Sequence, residues 1–118
     1  MKAKDILGRD GEELAVTHLL GSGMRVLERN WRCRLGEIDI VALDGDCLVV
    51  CEVKTRRSLV AGGPLEAVTP VKLARLRKLT AAWLAGQNQY FPEIRIDVVG
   101  VLAPARGPVV IEHLKAVG

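Results

Sequence analysis

Three charges stand where charges are expensive. Asp39 interrupts an apolar run over residues 36–43, and Glu52 and Lys54 interrupt a second one over 47–55. An ion buried in such a run needs a partner, a metal or water. Two carboxylates and a lysine are a set with a definite use. Hard cations such as magnesium take a few carboxylates plus waters. Beside such a cation, an ammonium can hold an attacking water or offset charge growing on a phosphate. The plain alternative is a cluster of solvated charges on one face of a hairpin. Against it, the opposite faces, Ile38/Ile40/Ala42 and Cys47/Val49/Cys51/Val53, are also apolar. That predicts a central hairpin covered on both sides.

The two runs flank Asp44-Gly45, a strong hairpin signal. Side chains alternate faces along a strand. A loop over 44–45, or one over 44–47, sets odd positions of the first strand opposite even positions of the second. Either loop places Asp39 on the face of Glu52 and Lys54; a three-residue loop would separate them. Glu37 shares that face.

The remaining elements must hold this hairpin. Residues 4–22 predict a helix, with Leu7, Leu14, Ala15 and Leu19 in helical spacing and Gly21 and Gly23 at its end. Gly8 and Gly11 lie on one face of it, a choice that costs up to about 1 kcal/mol each against alanine. They predict a close approach of another backbone, or a helix start nearer Asp10. Residues 24–31 predict a first strand, and Arg32-Cys33-Arg34 a short basic connection to the hairpin. Residues 56–68 form a polar, glycine-containing stretch directly after the charged strand, a placement typical of functional loops. Thr69 predicts an N-cap and Pro70 the first residue of a helix running to about Ala85. Leu73, Leu76, Leu79, Thr80, Trp83 and Leu84 make its buried stripe; Lys72, Arg75, Arg77 and Lys78 make a basic sector. Residues 93–102 alternate as a fourth strand and 109–114 as a short fifth. In the fourth, Asp97 is a weaker site candidate, a partner for Arg95 or a strand-end hydrogen bonder.

The order is therefore α-β-β-β-α-β-β. The first three strands predict an antiparallel meander, and the helical crossover sets the third and fourth parallel. The expected fold class is α/β: one domain, with a mixed sheet of about five strands flanked by helices.

Composition narrows the function. A chain of 118 residues fits a single domain, and 49% hydrophobic content supports a full core. Aromatic content of 3% counts against a platform for stacking single-stranded bases. A net charge of +3 and a pI near 9.0 are compatible with a phosphate-backbone partner. Cys33, Cys47 and Cys51 are an odd set, so no disulfide framework is expected. Cys47 and Cys51 read as small buried hydrophobes in a reducing cytosol. His18 and His113 are isolated in sequence, so no zinc site is expected. With no signal peptide and no apolar run of membrane-spanning length, a cytoplasmic protein without membrane contact is expected.

The motifs together resemble a known family. Leu7-Gly8-x-x-Gly11-Glu12-x-x-Ala15, Arg29-Asn30-Trp31, Gly36-Glu37-Ile38-Asp39-Ile40-Val41-Ala42, Val50-Cys51-Glu52-Val53-Lys54-Thr55-Arg56, Glu66-Ala67-Val68-x-x-x-Lys72 and Arg95-Ile96-Asp97-Val98 are similar to the bacterial YraN-like family. That family comprises small predicted endonucleases of the PD-(D/E)XK restriction-endonuclease-like superfamily, related to archaeal Holliday-junction resolvases. Ile38 stands where the superfamily motif has proline. The resemblance spans nearly the whole chain.

The resemblance implies roles position by position. Asp39 and Glu52 would ligate magnesium, or manganese, with the backbone carbonyl of Val53. Glu12 on the first helix would complete the metal site. Lys54 would orient or deprotonate the attacking water. Lys72 would touch phosphate. Apart from the resemblance, Arg29, Arg32, Arg34, Arg56, Arg57 and Arg75 could supply phosphate contacts, which position a backbone without specifying sequence. The implied activity is a magnesium-dependent DNA endonuclease, acting on branched or otherwise structured DNA. A symmetric homodimer is expected if a junction is cut, because two strands need two sites. Two other readings compete: a non-catalytic nucleic-acid-binding adaptor on the nuclease fold, and a hydrolase of another phosphodiester such as RNA.

Overall fold

The computed structural model describes residues 3–58 and 68–118, with side chains in the first helix from residue 10 onward. The elements are α1 (Ala3–Gly21), β1 (Arg25–Cys33), β2 (Gly36–Asp44), β3 (Cys47–Arg56), α2 (Pro70–Ala85), β4 (Glu93–Leu102) and β5 (Val110–Leu114). They form one mixed sheet in the order β1-β2-β3-β4-β5. All neighbours are antiparallel except β3 and β4, the pair that α2 connects. The expected α/β architecture is the observed one. Most of the loop expected over 56–68, and with it Glu66 and Ala67, lies outside the described residues, as does the side-chain environment of Gly8.

β3 is central because its sequence is apolar on both faces. Cys47, Val49 and Cys51 pack with Ala15 and Leu19 of α1; Leu48 and Val50 pack with Leu76, Leu79 and Trp83 of α2. Each helix thus covers one face. Fully burying a leucine or valine this way contributes roughly 1.5–3 kcal/mol, so these two layers dominate the fold.

Local chemistry sets where the helices begin and end. The Thr69 hydroxyl accepts the Lys72 N–H at 3.1 Å and Pro70 opens α2, as the sequence predicts. α1 stops where Gly23 takes φ +88°, and the Met24 N–H then bonds the Leu19 carbonyl at 3.0 Å. Gly11 sits against β3: a Cβ there would collide with the Thr55 side chain, lying 2.9 Å from its Cβ. The close approach expected of this glycine is therefore to a side chain rather than to backbone.

Two boundaries are corrected. β1 runs through Arg32 and Cys33, which pair with Glu37 and Gly36, so these residues are strand and not connection. The hairpin loop is Gly45-Asp46, since Asp44 still pairs with Cys47. Gly45 takes φ +60°, which a tight two-residue turn requires. No described helix is long and apolar enough to cross a membrane.

Candidate functional site

The β2–β3 register pairs Val41 with Val50 and Ile40 with Cys51, and the ladder ends there. Odd positions of β2 face even positions of β3, the parity expected. The next residue along is Asp39. Its Oδ2 accepts the backbone N–H of Val53 at 2.8 Å. The carboxylate thus bonds the β3 backbone just past the last ladder pair.

Simple alternation fails at Asp39. Ile40 and Ala42 belong to the core on the α1 side, whereas Ile38 belongs to the core on the α2 side. Two residues apart on one strand, Ile38 and Ile40 point to opposite layers. The partner strand breaks at the same level. Arg29 pairs with Ile40 and Trp31 with Ile38, and Asn30 between them has φ +53°. A left-handed residue inside a strand reverses which side its neighbours face. Parity therefore gives the register, and Asp39 lies at the seam where Ile38 and Ile40 part to the two layers.

That seam collects negative charge. Burial pushes the Asp39 carboxyl up to about 7; the Val53 N–H opposes this, and the carboxylates of Glu52, Glu12 and Glu37 add to it. Glu12 is also raised, by burial and then by Glu37, with Arg29 opposing. Carboxylates from α1, β2 and β3 are thus each within electrostatic reach of Asp39. Among the described residues, however, no group of three or more His, Cys, Asp or Glu side chains is close enough together to share a metal ion. Glu52 Oε1 lies 2.9 Å from Lys72 Nζ.

The expected cations fall into three groups. Lys72 engages Glu52, so in this structure its partner is a carboxylate. Lys54 forms no ion pair among the described residues and borders an apolar groove with Arg56, Leu102 and Val110. Arg56 is half-buried there, its Nε enclosed without a partner among the described residues. Arg34, Arg57 and Arg75 are exposed, at the β1–β2 turn, beyond β3 and on α2 respectively. Arg29 bonds Glu13 at 2.8 Å, and Arg32 lies 3.5 Å from Glu37.

Asp97 is fully buried and committed elsewhere. Arg95 Nε donates to its Oδ1 at 3.0 Å, the Ala116 N–H to the same oxygen at 3.0 Å, and His113 Nε2 lies 2.7 Å from Oδ2. The same arginine reaches Asp44 at 2.9 Å. Asp97 is therefore a partner for Arg95, and it also accepts a backbone N–H beyond β5. The histidines that look isolated in sequence meet: His18 Nε2 is 3.1 Å from His113 Nδ1. Nothing in their spacing signals this. Asn30 carries no charge and offers no periodic cue, so its place at the seam is equally hidden.

Comparison with known proteins adds the lineage. Residues 11–101 match the sequence model of uncharacterised protein family UPF0102. The chain is 61% identical over 120 residues to a UPF0102 protein of Kineococcus radiotolerans, covering 99% of this chain and 97% of that one. It is 59% identical over 117 residues to one from Pseudarthrobacter chlorophenolicus, covering 99% and 89%. To one from Arthrobacter sp. it is 57% identical over 118 residues, covering 100% of both.

Proposed function

The chain belongs to uncharacterised protein family UPF0102, and we propose that it is a magnesium-dependent endonuclease of the PD-(D/E)XK superfamily, hydrolysing DNA phosphodiesters in branched or otherwise structured DNA. The observation that carries this reading is Asp39: a half-buried carboxylate at the end of the central hairpin ladder, bonded to the Val53 N–H at 2.8 Å and crowded electrostatically by Glu52, Glu12 and Glu37. Crowding of this kind is unfavourable without a cation and favourable with one. The donor set is all oxygen, which suits a hard divalent ion such as magnesium or manganese. Asp39, Glu52 and the Val53 carbonyl would hold it, with Glu12 completing the set from α1. Once bound, it would polarise a phosphoryl oxygen and acidify water.

The chain's own residues supply the rest. Lys54 follows Glu52 by two positions on β3, in strand alternation the same side. Its ammonium would hold the attacking water and stabilise charge on the phosphate. Lys72 would pass from Glu52 to a phosphate oxygen once the ion has taken that carboxylate. Arg34, Arg57 and Arg75 are exposed and would position the backbone without reading sequence. Arg56, half-buried, would contribute only at the groove it borders. A symmetric homodimer would supply the two sites that a junction requires.

The ion pair between Lys72 and Glu52 favours a second reading, a non-catalytic nucleic-acid-binding adaptor, because it neutralises one of the carboxylates a nuclease needs. A panel of single-stranded, duplex, flap and four-way DNA, together with RNA, incubated with magnesium or manganese separates the two. Cleavage of DNA that disappears in Asp39→Ala and Glu52→Ala is the expected result. Salt-sensitive binding without cleavage moves the assignment to the adaptor. Cleavage that survives both substitutions refutes the site, and cleavage of RNA alone changes the substrate class.

A further inference from the structure

Asn30 is a non-glycine residue at φ +53° within β1, level with Asp39 on the neighbouring strand. Asparagine tolerates this region better than most residues, but a glycine would do so at less cost. The backbone alone therefore does not explain why an asparagine stands here. Its side chain does. With the amide nitrogen turned toward them, Asn30 donates to Glu12 Oε1 at 2.8 Å and to Glu37 Oε1 at 2.9 Å. The opposite orientation would set the amide oxygen against two carboxylate oxygens with no donor between them, so this one is assigned. The amide has two N–H groups, and each is spent on one carboxylate.

The choice of a neutral donor matters. A lysine or arginine here would hold the same two carboxylates and cancel much of their charge. An amide holds them together and leaves both negative. One of them comes from α1 and the other from β2, two residues before Asp39. Both act on Asp39 electrostatically. The packing of Gly11 against Thr55 and the bridge of Arg29 to Glu13 hold the α1 backbone near the sheet at this level, and Asn30 is the hydrogen-bond donor that the described contacts give the Glu12 carboxylate itself.

We propose that Asn30 is the positioning residue of the acidic seam: its amide clamps Glu12 of α1 and Glu37 of β2 beside Asp39, presetting the charge that a divalent cation would meet. This rests on the reading of Asp39 as the cation side of the site. Asn30 touches neither substrate nor reacting atoms in it. Its left-handed backbone turns the strand; its amide gathers the carboxylates that the turn brings near.

Two measurements on the full chain test this. The first is Mn2+ binding, followed by electron paramagnetic resonance with the metal alone as probe. Asn30→Gly keeps the backbone conformation and removes the amide. It should weaken Mn2+ binding about ten-fold, the scale on which outer partners of metal ligands act. Unchanged binding in that variant would show that only the backbone matters, and overturns the proposal. The second is a double-mutant cycle on urea unfolding in metal-free buffer, pairing Asn30→Gly with Glu12→Gln. A clamp requires the double variant's unfolding constant to depart by about five-fold or more from the product of the single changes. Additive effects overturn the clamp whatever the metal does. If the unaltered chain takes up no Mn2+, the cation reading fails on its own, and the cycle alone then decides whether Asn30 holds Glu12.

Discussion

Lys72 Nζ lies 2.9 Å from Glu52 Oε1, with only about a fifth of either side chain exposed. The lysine sits in the first turn of α2, where its own N–H is held by the Thr69 cap. One residue therefore anchors the helix start and delivers a cation to the central strand. At this depth the carboxylate needs a counter-charge, and Lys72 provides it. A divalent ion arriving at Glu52 would have to displace that ammonium.

This competition predicts opposite signs for two readouts. Lys72→Met removes the competitor for Glu52, so Mn2+ should bind about three-fold more tightly, the scale of a partly exposed ion pair. The same change removes a phosphate contact, so binding of DNA should weaken and its salt dependence become shallower by about one phosphate's share. Metal titration and DNA binding at several salt concentrations measure the two separately. Metal binding that weakens along with DNA binding would show that Lys72 supports the ion rather than competing with it.

Asp39 predicts a pH dependence of stability. Its folded carboxyl lies at about 7, against 3.8 as the reference value. The folded state therefore binds the proton more tightly than the unfolded state does. Asp39's contribution is fully present below about pH 3.8 and is lost as pH rises through about 7. Asp39→Asn keeps an acceptor for the Val53 N–H and removes the charge. It should stabilise the metal-free chain above about pH 7 by something on the order of 2 kcal/mol, allowing for partial solvent screening. Urea unfolding across this range, with and without Mg2+, checks it. Magnesium should raise the stability of the unaltered chain at alkaline pH and leave the variant nearly unmoved.

The sequence makes the scaffold of this site readable and conceals its direction. Alternation and the Asp44-Gly45 signal are local, so the hairpin register and the two-sided burial of β3 follow from short stretches. Thr69-Pro70 announces the start of α2 for the same reason. The parting of Ile38 and Ile40 to opposite layers accompanies a left-handed residue on the adjacent strand, and no period along β2 records it. Lys72 reads as part of a basic sector, a solvated face or a phosphate contact, because helical spacing shows only its own helix, not the carboxylate on β3. The meeting of His18 and His113 joins α1 to β5 across 95 residues, and only the completed sheet brings them together.

That histidine pair predicts a pH effect of the opposite sign. His113 bridges Asp97 and His18: its Nε2 lies 2.7 Å from Asp97 Oδ2 and its Nδ1 3.1 Å from His18 Nε2. Burial, then His113 and then Lys115, hold the His18 imidazole below its ordinary 6.5. Here the unfolded state binds the proton more tightly. The contribution is fully present above about pH 6.5 and is lost as pH falls through the lower folded value. In the unaltered chain Asp39 opposes this trend most strongly, and Glu12 acts in the same direction as Asp39. In the Asp39→Asn background it should emerge as stability that rises with pH up to about 6.5. His18→Gln in the same background should flatten it. A rising trend that persists after that change would place its origin in another group.

Gly11 predicts how tightly α1 must approach β3. A Cβ at this position would lie 2.9 Å from both Thr55 Cβ and Thr55 Cγ2, with the hydroxyl closer still. The threonine is branched at Cβ and cannot swing fully clear, so α1 would have to move away from the strand. Gly11→Ala should therefore destabilise the chain by about 1–3 kcal/mol, even though alanine is the better helix former. Thr55→Gly removes the opposing atoms, so the double variant should recover part of that loss and show non-additive energetics. Glu12 is the next residue on α1, so the same displacement pulls its carboxylate from the seam. Mn2+ binding should weaken in Gly11→Ala and return in the double variant. If stability returns but metal binding does not, Glu12 is not the residue that α1 contributes to the cation.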